Sequence, residues 1–234
     1  MDTLIVKTKG SVTDASLPRF GDLVINFSIP ANYAPAAIFS SSLFQAVSGK
    51  SLQFTVEGAQ RVDSGGNPSA SGDYISAGVG KITLYNKYDL ETFKFALINW
   101  GNGKYLWLDD IAELAYCTSI ETITLGSQGT TGNIESLVNL KKLTSFSANK
   151  SNVGGDLLTL FRGLIESGWY DDALLLPNIG QWNNTASIKF NNKLVNSTNF
   201  PTITSSTSAS LRISGNKIQF YNTSTSTVIE EVSI

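Results

Sequence analysis

Apolar positions follow two different rules along this chain, and the change comes near residue 88. Before it, apolar and polar residues alternate in short β-branched or aromatic runs: Leu4-Ile-Val-Lys, Leu23-Val-Ile-Asn-Phe27, Leu52-Gln-Phe-Thr-Val56 and Lys81-Ile-Thr-Leu-Tyr85. Runs of this length with period two predict strands that bury one face. The segment Asp63-Ser-Gly-Gly-Asn-Pro-Ser-Ala-Ser-Gly-Asp73 has little to bury and predicts a mobile hairpin or loop. A short helical turn is expected near Ser41-Ser-Leu-Phe-Gln-Ala-Val47. Residues 1–88 thus read as a β-rich, sandwich-like N-terminal module.

From Leu90 onward the apolar positions recur at a long period. Ile120, Ile123, Leu125, Gly132, Ile134 and Leu137 reappear 23 residues later as Leu143, Phe146, Ala148, Gly155, Leu157 and Leu160. A single unit of this size cannot enclose its own apolar side, so equivalent residues must stack on those of the next unit to exclude water. An earlier unit begins at Leu90-Glu-Thr-Phe93-Lys-Phe95 and is longer by an insertion of seven around Asn99–Tyr105, after which Ile111, Leu114 and Cys117 take the places of Ile134, Leu137 and Leu140. Cys117 is therefore expected to be a buried, small apolar residue.

Beyond Phe161 the period falters. Phe161–Gly168 predicts a helical turn ending at glycine, and Trp169–Pro177 a link. The offset returns when Ile188, Phe190 and Val195 are set against Leu211, Ile213 and Ile218, which predicts two further rungs, with Phe220-Tyr221 and Val228-Ile229 as a closing hairpin. The expected architecture is mainly β (α+β), with the module at 1–88 followed by a repeat domain and irregular C-terminal cap at 89–234.

The run Gly132-Asn-Ile134-x-x-Leu137-x-x-Leu140-x-x-Leu143, with the turns Thr131-Gly-Asn-Ile and Val153-Gly-Gly-Asp-Leu, resembles the leucine-rich-repeat family. That resemblance implies a short solenoid whose strands line one curved parallel sheet. The overall layout, a Ser/Thr-rich β module leading into a few repeats, also resembles repeat proteins of gut Bacteroidales and their tailed phages. This second resemblance implies adhesion or particle assembly: a structural or accessory virion protein that contacts other virion or surface proteins and forms homo-oligomers. The alternative it leaves is a bacterial cell-surface adhesin or carbohydrate-binding protein that contacts glycans.

Charge narrows the partners. The chain of 234 residues carries 17 basic and 19 acidic residues, a net charge of −2, with 7 basic and 6 acidic up to Tyr88 and 10 and 13 after it. Neither half concentrates the Lys and Arg that a phosphate-binding surface needs, so nucleic acid is not an expected partner. No apolar stretch approaches the ~18 residues of a membrane span. Met1-Asp-Thr followed by Leu4-Ile-Val-Lys lacks the basic flank and length of an export signal, which favours a virion component assembled in the bacterial cytoplasm over an exported adhesin at the cell surface.

Candidate chemistry is sparse. Without histidine, Ser-His-Asp and Cys-His schemes and histidine-based zinc sites are ruled out, and one cysteine cannot build a thiolate cluster. No cofactor is expected. Gly78-Val-Gly-Lys and Gly101-Asn-Gly-Lys lack the rest of a phosphate loop and are expected to be turns. The pairs Asp109-Asp110, Asp171-Asp172 and Glu230-Glu231 are the only basis for a second alternative from another class, a glycoside-acting enzyme; Asp110 with Glu113 reads instead as a capping box, and a non-enzymatic protein is expected. Asn183, Asn196 and Asn222 meet the glycosylation rule but are expected to be turn residues. The candidate binding residues are aromatic: Trp100, Tyr105 and Trp107 at the insertion, and Trp169, Tyr170 and Trp182 around the faltering region. Such rings either cover the ends of the core or stack on sugars and anchor partners. Glu91, Thr92, Lys94, Glu121, Thr122, Thr124, Thr144, Ser145 and Ser147 are expected to line the outward face of the repeat strands.

Overall fold

The computed structural model describes residues 22–31, 36–37, 44–72, 74–94, 106–126, 129–149, 151–182 and 187–234. The expected strand at Leu4, the insertion around Asn99–Tyr105 and Asn183 lie outside these residues. The mainly β expectation holds, with 39% strand and 15% helix. The first strands are β1 (Leu23–Ile29), β2 (Ala36–Ala37), β3 (Phe44–Ala46), β4 (Phe54–Glu57), β5 (Arg61–Val62), β6 (Tyr74–Ile75) and β7 (Gly78–Leu84). Next come β8 (Leu90–Lys94), β9 (Leu106–Trp107), β10 (Thr122–Thr124), β11 (Ser145–Ser147) and β12 (Gly154–Asp156), followed by the helix α1 (Leu157–Glu166). The chain closes with β13 (Ala173–Leu176), β14 (Ser187–Phe190), β15 (Lys193–Leu194), β16 (Ala209–Ser214), β17 (Lys217–Asn222) and β18 (Thr227–Ser233).

These strands form a four-stranded sheet ordered β4-β7-β1-β9, an eight-stranded sheet ordered β18-β17-β16-β13-β11-β10-β8-β3, and two three-stranded sheets, β12-β14-β15 and β2-β6-β5. Pairing crosses position 88 twice, since β1 pairs with β9 and β3 with β8. One apolar cluster runs from Leu23 to Phe220.

The 23-residue period appears as strand register. β10 and β11 are parallel, with Thr122 opposite Ser145, Ile123 opposite Phe146 and Thr124 opposite Ser147. On the other side β10 pairs in parallel with β8, Ile123 opposite Phe93, so the unit carrying the seven-residue insertion still delivers its strand in step. Phe93, Ile123 and Phe146 are fully buried on the inner face, and Phe44 joins the row with its ring centroid 5.6 Å from that of Phe93. Beyond the strands, Ile111, Leu114 and Cys117 are as fully buried as Ile134, Leu137 and Leu140. The stack is apolar at every equivalent position because each rung shields the next.

A capping ladder has the same period. Asp110 Oδ1 accepts from Ala112 N at 2.8 Å, Asn133 Oδ1 from Glu135 N at 3.1 Å, and Asp156 Oδ1 from Leu158 N and Thr159 N at 2.8 and 3.3 Å. Each residue opens the short helix of its unit, and each supplies an acceptor to N–H groups that the first turn leaves unpaired. Around Asp110 the capping box is complete, with Glu113 Oε1 accepting from Asp110 N at 3.5 Å. α1 ends in a Schellman motif: Trp169 N donates to Leu164 O and Gly168 N to Ile165 O.

Three expectations are corrected. The helical turn placed over Ser41–Val47 is not formed at its described end, where Phe44–Ala46 is strand β3, paired antiparallel with β8. The glycines at 78 and 80 are not in a turn but in β7, whose backbone lies so close to Glu57 and Gly58 that a side chain at Gly80 would overlap the Glu57 carbonyl. The loop expected after Asp63 does form, with the Asp63 carboxylate accepting from Gly65 N and Asn67 N at 2.8 and 2.9 Å. Finally, Ile188 and Leu211 are not on neighbouring rungs: β14 pairs in parallel with β12, whereas β16 pairs antiparallel with β13 and β17, and Ile213 is exposed. The closing hairpin forms as expected, with Tyr221 opposite Val228.

Candidate functional site

The eight-stranded sheet carries one uninterrupted row of registered residues on the face opposite its aromatic core. Gln45, Thr92, Thr122, Ser145, Leu175, Ser210, Tyr221 and Val228 each stand opposite the next, one from every strand. Its first half is hydroxylated, and there Thr92 is only 7% exposed. In the second half the chemistry changes to Leu175 and Val228, 47% and 42% exposed, with the buried Ser210 and the half-buried Tyr221 standing between them in the row.

A second, polar row flanks this apolar strip. Ala173, Arg212, Gln219 and Glu231 are registered across β13, β16, β17 and β18. Arg212 Nε donates to Gln219 Oε1 at 3.0 Å, Gln219 Nε2 donates to Glu231 Oε2 at 3.3 Å, and Lys217 forms an ion pair with Glu231. The bond from Lys217 is the first cause holding the Glu231 carboxyl below its ordinary value. The Arg212 guanidinium stacks 3.5 Å from the Tyr221 ring centroid, which fixes a long cationic side chain against an aromatic face before any partner arrives.

The aromatic candidates separate sharply. Trp169 and Trp182 are both 7% exposed, with their indole N–H groups donated to Leu143 O at 2.7 Å and Pro177 O at 3.0 Å. Trp169 stands edge-on to Phe161, and Trp182 edge-on to Phe146, so both close the core. Trp107 is half-buried in β9 at the sheet edge, packed on Gly129. Tyr170 is 74% exposed and free of the core. Trp100 and Tyr105 lie outside the described residues. Of the four described positions, Trp169 and Trp182 are turned into the core, Trp107 is half-buried and Tyr170 faces solvent. Leu175, Arg212 and Tyr221 were missed because Ala173-Leu-Leu-Leu176 reads as one apolar run, whereas the odd leucine faces outward.

Two of the three carboxylate pairs are tied into structure, whereas Asp171 and Asp172 are exposed. Asp109 accepts from Asn26 Nδ2 at 3.0 Å, and Glu230 receives Asn191 Nδ2 and Lys193 Nζ, each at 2.8 Å. Burial pushes the Glu113 carboxyl above its ordinary value, and the Asp110 backbone N–H it accepts pulls the other way. Lys87, itself buried, is pushed down by burial, with the nearby Cys117, Asp22 and Glu113 opposing that shift. Asn196 and Asn222 each accept two backbone N–H groups from the residues that follow, as turn residues do. Among the described residues no cluster of three or more metal-ligating side chains occurs, and no helix is long and apolar enough to cross a membrane.

A separate cleft of ≈ 420 Å³ opens between the turn after β13 and the connection from β15 to β16. It is lined by the buried Ile179, Trp182 and Ile203, by Gly180, Val195 and the exposed Leu194, and by the exposed Asn196, Ser197, Thr204 and Ser205. Compared with known proteins, the chain matches no family model, no curated protein sequence and no solved structure.

Proposed function

We propose that this chain is a non-enzymatic structural or accessory component of a tailed-phage particle, acting in attachment or assembly through protein–protein contacts on the outer face of the eight-stranded sheet. The observation that carries the reading is the strip Leu175–Tyr221–Val228 with Arg212 stacked on Tyr221, an exposed apolar centre beside an ordered polar rim. Aromatic residues and Arg are enriched in such patches, and prior ordering of Arg212 reduces the entropy lost on association. The parallel strands in 23-residue register and the capping ladder of the same period support reading Leu90–Leu176 as a short leucine-rich-repeat array.

Two measurements test this. Mass spectrometry of purified particles should find the chain in stoichiometric amount. The double variant Leu175→Asp, Tyr221→Ala, folded by circular dichroism, should lower incorporation at least ~10-fold, the effect of losing ~1.4 kcal/mol of contact energy. A chain absent from particles and recovered in the cell-envelope fraction would overturn the virion assignment in favour of a surface adhesin.

A further inference from the structure

We propose that the cleft between the turn after β13 and the β15–β16 connection is a binding site for a neutral saccharide unit, distinct from the sheet-face patch. Its lining residues include no ionisable side chain. A phosphate, carboxylate or ammonium group seated there would find no opposite charge among the lining side chains, and charged ligands are held by charge-assisted bonds. A wholly apolar ligand fits no better, because it would cover hydroxyl and amide groups without bonding them. What matches the exposed Leu194 beside neutral donors and acceptors is a ligand with the same mixture, and a pyranose combines apolar C–H faces with a ring of neutral hydroxyls. The volume falls within the roughly 300–1,000 Å³ of small-molecule sites.

The walls are held ready. Asn196 Oδ1 accepts from Thr198 N at 3.1 Å and Asn199 N at 2.9 Å, which fixes the amide plane and leaves its Nδ2 hydrogens unused. Across the cleft Thr204 N donates to Thr207 Oγ1 at 2.8 Å, and Gly180 N donates to Thr207 O at 3.2 Å, locking the two loops together. Among the described residues the hydroxyls of Ser197 and Ser205 take part in no hydrogen bond, so with Asn196 they are the groups a ligand would satisfy. Trp182 Nε1 is committed to Pro177 O, and at 7% exposure the ring offers a ligand little surface.

The test is saturation-transfer-difference NMR on the full chain with galactose, glucose, mannose and N-acetylglucosamine at ~10 mM, a concentration suited to Kd values in the mM range. Glucuronate and inorganic phosphate are run alongside. At least one neutral sugar should give saturation transfer. Ser197→Trp, which fills the cleft without touching the turn bonds of Asn196, should weaken it ~10-fold while leaving the melting curve in place. The sheet-face double variant should leave sugar binding unchanged, so failure here and failure of the proposed function are separable. The proposal is overturned if no neutral sugar gives a signal, if glucuronate or phosphate binds in preference, or if Ser197→Trp folds and binds sugar as the parent does.

Discussion

Asn133 and Gly155 lie against each other across adjacent units: a Cβ built on Gly155 would overlap both Asn133 Oδ1 and Glu135 Oε2, and Gly155 has φ +121°. One unit earlier Gly132, at φ +101°, stands in the same relation to Asp110. The side chain that caps one rung thus occupies the space above the glycine of the next, and Glu135 Oε1 reaches on to accept from Asp156 N at 2.7 Å. Two costs should separate on substitution. Gly155→Ala meets both the left-handed backbone and the overlap, whereas Gly215→Ala, at φ +60° with nothing near its Cβ, meets the backbone cost only. Urea unfolding should show a loss of ~1 kcal/mol for Gly215→Ala and ~3 kcal/mol or more for Gly155→Ala. Equal losses would mean that the caps and glycines do not interlock.

The caps themselves should rank by the number of donors they satisfy. Replacing Asn133 by Ala should cost ~1 kcal/mol, and Asp156→Ala ~2 kcal/mol, in the range for helix caps. Asp156 is the costlier because its second oxygen also accepts from Asn192 N at 2.7 Å, tying the start of α1 to the β14–β15 turn. Denaturant midpoints for the two variants provide the comparison, with the reverse order counting against the ladder.

How much of this was legible follows from what each pattern encodes. The pairing of Ile123 with Phe146 could be read directly, because stacked units bury equivalent residues at a fixed sequence interval and so write their register into the chain. The capping box at Asp110 was legible for the same local reason. The match of Ile188 with Leu211 carried no such information: any two strands with alternating apolar residues agree at many offsets, and period-two alternation does not name a partner. β14 was instead drawn to Gly154–Asp156, and β16 to Ala173–Leu176. Phe44–Ala46 misled in another way, since its three residues take their conformation from β8 rather than from local preference. The rings of Trp169 and Trp182 could be flagged as aromatic but not as inward, because that depends on Leu143 and Pro177 offering carbonyls to their indoles. The sheet-face patch needed register between strands as far apart as Leu175 and Val228, which no local pattern contains.

Leu174 and Leu175 test the face assignment most economically. They are neighbours in β13, yet Leu174 is fully buried and Leu175 is 47% exposed. Leu174→Ala should destabilise by about 2–5 kcal/mol through lost burial and the cavity it leaves. Leu175→Ala should remain within about 0.5 kcal/mol of the parent. Thermal melts of the two variants would detect the contrast, and similar losses would place both leucines in the core and remove the exposed strip.

Cys117 is fully buried in the stack, and burial pushes its thiol up to about 12 from an ordinary 9.0, with Lys87 opposing the shift. Nucleophilic attack requires the thiolate, so the native chain should not react measurably with a disulfide reagent at pH 8, yet should titrate as one thiol in denaturant. The same shift has a stability consequence. Because the folded value lies above the unfolded one, the folded protein retains a proton that the unfolded chain releases, and the contribution is fully present below pH 9 and lost as pH rises through about 12. Unfolding free energy should therefore fall with pH over that window by up to about 1.4 kcal/mol per unit from this group. Cys117→Val, close in size and without an ionisable proton, should flatten the pH dependence by one proton's worth relative to the parent, whatever the other alkaline groups contribute. A parent and variant with parallel curves between pH 9 and 12, or rapid labelling of the native thiol, would show that position 117 is open to water and that the repeat core is not closed there.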